Sequence, residues 1–180
     1  SLYVLPLADS KSVEISYTID GSTKGTLSFS VNQQTASNQF TDVSGSYKWA
    51  ANSVDFMYMN DIIKGNNTKN PKLFGPGAKM TRAMLVTVLY RLENEPEAGE
   101  ATFADVPAGT WYTDAVAWCA ANSVINGYSD GIFGGEDVLT REQMVVMLHR
   151  YAKGRDKAGP VDLTVLNAFA DAGGVSGWAA

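Results

Sequence analysis

Ile125-Asn126-Gly127-Tyr128-Ser129-Asp130-Gly131-Ile132-Phe133-Gly134, closed by Leu139-Thr140-Arg141-Glu142-Gln143-Met144, decides the fold because the chain contains versions of it elsewhere. It is introduced by Phe103-Ala104-Asp105-Val106 and Trp111-Tyr112-Thr113-Asp114-Ala115-Val116. An earlier copy opens on Phe40-Thr41-Asp42-Val43, passes Gly65 and Phe74-Gly75, and closes on Thr81-Arg82 and an apolar helix. A third opens on Phe169-Ala170-Asp171, reaches Trp178 and stops. Repetition over this length marks a modular array of one supersecondary unit.

The two longer copies locate the elements. Positions 62 apart match from Trp49 and Trp111 to Gly65 and Gly127, and positions 59 apart match from Phe74 and Phe133 to Arg91 and Arg150. The offset changes only in the intervening loop, as expected of two fixed helices with a variable connection. In the second copy a helix is predicted from about Trp111 to Asn122, with Ala115, Val116, Trp118 and Cys119 as its apolar positions. Gly127 to Gly131 reads as a turn. Thr140 and Gln143 have capping-box spacing, Met144, Met147, Leu148 and Tyr151 form an apolar stripe, and Gly154 is the stop. In the first copy Thr81 keeps the cap, Met84 replaces the box partner, and Leu85, Val88, Leu89 and Leu92 form the stripe.

Residues 1–38 have a different character. Val13 to Ile19 and Thr26 to Val31 alternate apolar and polar residues around the turn-forming Asp20 to Gly25, which predicts a β-hairpin; Asn32 to Asn38 reads as a linker. An isolated hairpin is marginal in water, so this one is expected to end an upstream β-domain or to pack on its neighbour. The chain thus divides into a hairpin segment and linker (1–38), a first unit (39–97), a second (98–160) and the start of an incomplete third (161–180), and reads as a piece of something longer.

Composition narrows the function. A 45% hydrophobic content is that of a globular protein, and a net charge of −5, with 14 basic against 19 acidic residues, leaves no basic stripe for nucleic acid. One cysteine, Cys119, rules out an internal disulfide, and no Cys/His cluster suggests a structural metal or cofactor. No window approaches the run of about 18 apolar residues of a membrane helix, so insertion into a membrane is not expected. The lone His149 lacks partner motifs, and no carboxylate pair is placed by a catalytic motif, so the chain does not read as an enzyme.

At the quoted motifs the chain resembles the S-layer homology domain family, over roughly residues 39–180. The resemblance implies a mainly α fold of tandem helix-loop-helix units, which form a pseudo-threefold helical bundle when three are complete, here preceded by the short β-hairpin. It also implies noncovalent anchoring of a secreted surface protein to the cell wall of a Gram-positive or related bacterium, through pyruvylated secondary cell-wall polysaccharide. The physical reading agrees: a guanidinium can grip the pyruvyl carboxylate with two parallel hydrogen bonds, and Arg82 and Arg141 each follow a capping threonine, where free amides and the helix dipole also favour an anion. Trp49, Trp111 and Trp178 offer flat faces for a sugar, or serve as core. Asp42, Asp105 and Asp171 either cap the following turn, contact sugar hydroxyls or orient the arginines. Gly65 and Gly127 serve turn geometry or permit close backbone approach to the ligand. A second reading is a surface-layer assembly module acting mainly through protein–protein contacts, with self-association through the incomplete third unit.

Overall fold

The computed structural model describes residues 13–19, 22–29, 40–65, 70, 72–100, 103–128, 131–160 and 162–179. Helix dominates. The elements are strands β1 (Val13–Ile19) and β2 (Ser22–Phe29) and helices α1 (Ala51–Met59), α2 (Arg82–Leu92), α3 (Thr113–Ala121) and α4 (Arg141–Gly154), with 3₁₀ segments at Gly45–Ala50, Leu163–Ala168 and Ala172–Gly174. The strands pair antiparallel from Val13 opposite Phe29 to Ile19 opposite Ser22, with a register irregularity at Tyr17/Thr18. Ser22 to Gly25, assigned to the turn from sequence, therefore belong to β2. The linker at 32–38 lies outside the described residues.

The internal repeat is visible bond by bond. Asp42 Oδ1 and Oδ2 accept from the backbone amides of Phe74 and Gly75 at 2.8 Å each, and Asp105 does the same for Phe133 and Gly134 at 2.7 Å each. Asn60 Nδ2 donates to the Phe56 carbonyl at the end of α1, and Asn122 Nδ2 to that of Trp118 at the end of α3. The next residues, Asp61 and Ser123, both sit at φ 58°. The amide of Ile62 then returns to Met57 O at 2.9 Å and that of Val124 to Cys119 O at 2.8 Å.

Both second helices start on the expected threonines. Thr140 Oγ1 accepts from Gln143 N at 3.2 Å while Gln143 Oε1 takes the Thr140 amide at 3.3 Å. Thr81 Oγ1 accepts from Met84 N at 3.3 Å, and the Met84 sulfur, a weak acceptor, lies 3.5 Å from the Thr81 amide in the place of the missing box partner.

The main core joins the repeats rather than filling each one. Ala83, Leu85, Val86 and Leu89 of α2 pack with Ala115, Val116, Trp118 and Cys119 of α3, and Phe133, Ile125 and Met147 close the cluster. The second helix of one repeat thus packs on the first helix of the next, across the 97/98 division. A smaller cluster of Phe40, Val43 and Val54, with Tyr58 and Phe74 against it, belongs to repeat 1 alone. This arrangement changes the expected stripes. Val86, outside the predicted stripe, is 0% exposed because α3 covers it, whereas Leu92 and Leu148, inside the predicted stripes, are exposed. At the far ends of α2 and α4, Arg155 pairs with Glu93 at 2.7 Å and the Tyr151 hydroxyl donates to Glu93 at 2.6 Å.

Candidate functional site

A groove of about 320 Å³ opens where the repeats meet, lined by Arg82 from α2, the Ile125–Tyr128 loop, one face of α4 and Trp178. Gln143, Val146, Met147 and Arg150 supply the α4 face, related by the i, i+3, i+4 and i+7 spacing of one side of a helix. Among the described residues the lining carries two guanidinium groups and no carboxylate.

Arg82 is fixed by the second repeat although it belongs to the first. It is 6% exposed, its Nε donates to Phe133 O at 2.9 Å, and its guanidinium lies over the rings of Tyr128 and Phe133 at 4.4 and 5.0 Å from their centroids. Burial pushes its pKa down, and the fields of Tyr128, Asp137 and Asp105 oppose that shift. Asp105 acts on Arg82 through one peptide: it holds the Phe133 and Gly134 amides, and the Phe133 carbonyl holds Arg82. The aspartate is thus a staple of the loop that carries the arginine's acceptor.

The amides at the start of α2 are not available to an anion, contrary to the sequence reading. Arg82 N donates to Asp137 O at 3.0 Å and Ala83 N to Gly135 O at 2.9 Å, so the loop of repeat 2 caps the helix of repeat 1. The reason is the joint core, which brings the 135–137 loop against that helix start. At α4 the situation differs. Gln143 N and Met144 N are satisfied by Thr140, but the amides of Arg141 and Glu142 have no protein partner among the described residues.

Of the residues singled out from sequence, the groove brings together Arg82, Gly127 and Trp178, with Asp105 one bond behind. Arg141 is exposed, does not line the groove, and makes no hydrogen bond or ion pair among the described residues. Trp49 is 84% exposed; Trp111, at 56%, meets Tyr112 edge-on at 5.0 Å. Neither lines the groove. Asp42 staples Phe74-Gly75 in repeat 1, and Asp171 is exposed, its backbone carbonyl accepting from Gly174 at 2.8 Å. Gly65 has φ +90°, and a Cβ there would lie 2.9 Å from Leu73 O, so the backbone conformation and this close approach both favour glycine.

Arg150, Tyr128 and Gln143 were not singled out as candidates. Arg150 stood only as the match of Arg91, which is occupied with Glu95 at 3.3 Å and Ile62 O at 3.4 Å; Arg150 has no such partner among the described residues and faces the groove. Its alignment on α4 with Gln143 and Met147 is the signal that could have found it.

Cys119 plays no part in this chemistry. It is fully buried, burial pushes its thiol up to about 12, and Sγ points at Val86 O at 3.8 Å. Such a thiol is a packing group.

For Asp42 and Asp105, partial burial raises the carboxyl pKa, but the two backbone amides on each outweigh it and hold both below the ordinary carboxylate value. A depressed native pKa gives stability that is present above the unfolded-state pKa and lost as pH falls through the native one. Acid unfolding is therefore expected to steepen below about pH 4. The Asp42→Asn/Asp105→Asn double variant should be less stable at pH 7, by about 2 kcal/mol per site, and flatter in that acid window; denaturant melts between pH 2 and 7 check this.

The sequence was compared with known proteins. The S-layer homology domain profile matches residues 39–83 and 102–145. Similar proteins include the outer membrane protein SlpA of Thermus thermophilus, 46% identical over 52 residues, which cover 29% of this chain and 6% of that protein. The surface-layer 125 kDa protein of Lysinibacillus sphaericus is 32% identical over 143 residues, 79% of this chain and 11% of that protein. The S-layer protein sap of Bacillus anthracis is 32% identical over 115 residues, 63% of this chain and 13% of that protein. The chain thus spans only a small part of the length of these relatives. No helix among the described residues is long and apolar enough to cross a membrane. With the profile falling on both repeats, and the repeats matching in their staples, caps and helix ends, the chain belongs to the S-layer homology domain family, of which it carries two units.

Proposed function

We propose that the groove between the repeats binds an acidic sugar of cell-wall polysaccharide, the pyruvylated secondary cell-wall polysaccharide, and so anchors a secreted surface protein noncovalently to the wall of a Gram-positive or related bacterium. The observation that carries this reading is the pairing of Arg82 and Arg150 in a recess that has no carboxylate among its described residues, in a chain whose net charge is −5. A pyruvyl ketal presents one carboxylate on a sugar ring. Two guanidinium groups match that charge with directional hydrogen bonds, and the Trp178 and Tyr128 rings match the C–H face. Gly127 lets the backbone form part of the wall of the recess.

Among the described residues the lining includes no aspartate, glutamate, histidine or cysteine, which supports capture rather than turnover of the sugar. The names of the relatives, S-layer and outer membrane proteins, support a place at the cell surface. The expected result is co-sedimentation of the 180-residue chain with sacculi that carry the pyruvyl group and its recovery in the supernatant with sacculi that lack it. Equal pelleting with both would remove the pyruvyl carboxylate as the ligand.

A second reading, a surface-layer assembly module, is favoured by one observation: large apolar side chains on α1 and α4 stand open. Phe56, Met59, Val145 and Leu148 are all exposed.

A further inference from the structure

Trp178, the aromatic wall of the groove, comes from a segment whose polar ties to the rest of the chain end on one side chain. Ser176 N donates to Glu142 Oε2 at 3.1 Å, and the Ser176 hydroxyl donates to Glu142 Oε1 at 3.2 Å. Among the described residues, no other hydrogen bond or ion pair joins residues 162–179 to the repeats before them. Ser176 opens a tight turn, closed by Ala179 N on Ser176 O at 2.8 Å, and Trp178 stands at the third place of that turn. Holding Ser176 therefore holds the backbone from which the Trp178 ring projects.

Glu142 is suited to that task. It lies half-buried in the first turn of α4, where the helix dipole favours a carboxylate, and each of its oxygens accepts one charge-assisted hydrogen bond, which fixes its orientation. Its neighbour Gln143 lines the groove while Glu142 does not, so the helix carries the seat of Trp178 and part of the recess side by side. The contact is not a property of the repeat. Glu142 matches Ala83, whose methyl group accepts nothing and is fully buried in the joint core.

From this geometry we infer that Glu142 is a positioning residue of the groove: by seating Ser176 it sets the Trp178 ring as the aromatic wall and so raises affinity for the C–H face of the sugar. The ligand part of this inference rests on the groove reading above; the seating of the ring does not. An acidic residue that served only the dipole of α4 would change the stability of that helix and leave Trp178 where it is.

The test uses the 180-residue chain labelled with fluorotryptophan, whose four tryptophans give one fluorine resonance each, that of Trp178 being identified by its loss in Trp178→Phe. Glu142→Ala should shift the Trp178 resonance and leave those of Trp49, Trp111 and Trp118 in place, which also shows that the variant is folded. Ser176→Ala, outside the helix, should shift the same resonance by less and carries the test should Glu142→Ala unfold. In calorimetric titration with the purified pyruvylated polysaccharide, Glu142→Ala and Trp178→Ala should each bind roughly 3–10-fold more weakly, and the double variant no more weakly than Trp178→Ala, because Glu142 acts through the ring. A Trp178 resonance that stays in place in both seat variants would overturn the inference whether or not the polysaccharide binds, and so would losses that add in the double variant. A shifted resonance in a chain that binds no polysaccharide would support the seat and overturn the groove reading instead.

Discussion

Replacing Arg82 with alanine is expected to cost about 3 kcal/mol of folding stability, against less than about 0.5 kcal/mol for Arg141→Ala, although both residues follow a capping threonine at the start of a helix. The difference comes from surroundings. Arg82 is buried, donates to Phe133 O and lies over two aromatic rings, whereas Arg141 is exposed and has no partner among the described residues. A charge-assisted hydrogen bond contributes about 1.5–3 kcal/mol and a partly desolvated cation–π contact about 1 kcal/mol more. Truncation also leaves the Phe133 carbonyl without its donor at the seam between repeats. For a chain of this size the loss corresponds to roughly 6–12 °C in melting temperature, which calorimetry resolves. Equal melting temperatures for the two variants would show that Arg82 does not join the repeats.

The second large effect is expected at Gly127. Its φ is +70°, and a Cβ would stand 2.5 Å from the Phe103 ring edge and 2.7 Å from Ile132 O. Left-handed backbone costs a side-chain-bearing residue about 1 kcal/mol, and overpacking against a fixed carbonyl adds about 1–3 kcal/mol. Gly127→Ala should therefore lose about 2–4 kcal/mol. Gly131 is the internal control, because its φ is +72° but nothing among the described residues lies within 4 Å of its Cβ position. Gly131→Ala should lose only the backbone part, about 1 kcal/mol. Chemical denaturation of the pair separates conformational strain from steric conflict; matching losses would mean that the close approach at Gly127 has no energetic consequence.

Much of the local structure was legible because its causes are local. Thr81 and Thr140 start helices because a hydroxyl three residues before an unpaired amide is a local device, and the equivalence of Asn60 with Asn122 follows from a constant offset. The joint core was not legible. Val86 and Leu92 look alike in a helical stripe, and only the packing of α2 on the following repeat buries the first and exposes the second. The candidate site shows the same limit. Asp42 and Asp105 were expected to cap the turn that follows each of them, whereas they hold the distant Phe74-Gly75 and Phe133-Gly134 turns, a long-range pairing that local sequence does not display. The separation of Arg82 from Arg141 was not legible, because their local sequences are nearly the same and a neighbouring repeat sets their environments. Arg150 was hidden for a related reason: its repeat match Arg91 is spent on a structural pairing, and which face of α4 borders a groove depends on where Trp178 and the Ile125–Tyr128 loop arrive.

The central claim, that the groove between the repeats holds the acidic sugar, is tested most directly by calorimetric titration of the purified pyruvylated polysaccharide into wild type, Arg150→Ala and Arg141→Ala. Arg150 lines the groove without a structural partner among the described residues, so its loss should weaken binding by roughly 10–150-fold and leave the melting temperature unchanged, while Arg141→Ala binds as wild type. Unchanged affinity in Arg150→Ala, together with lost affinity in Arg141→Ala, would place the ligand on the open start of α4 and contradict the account.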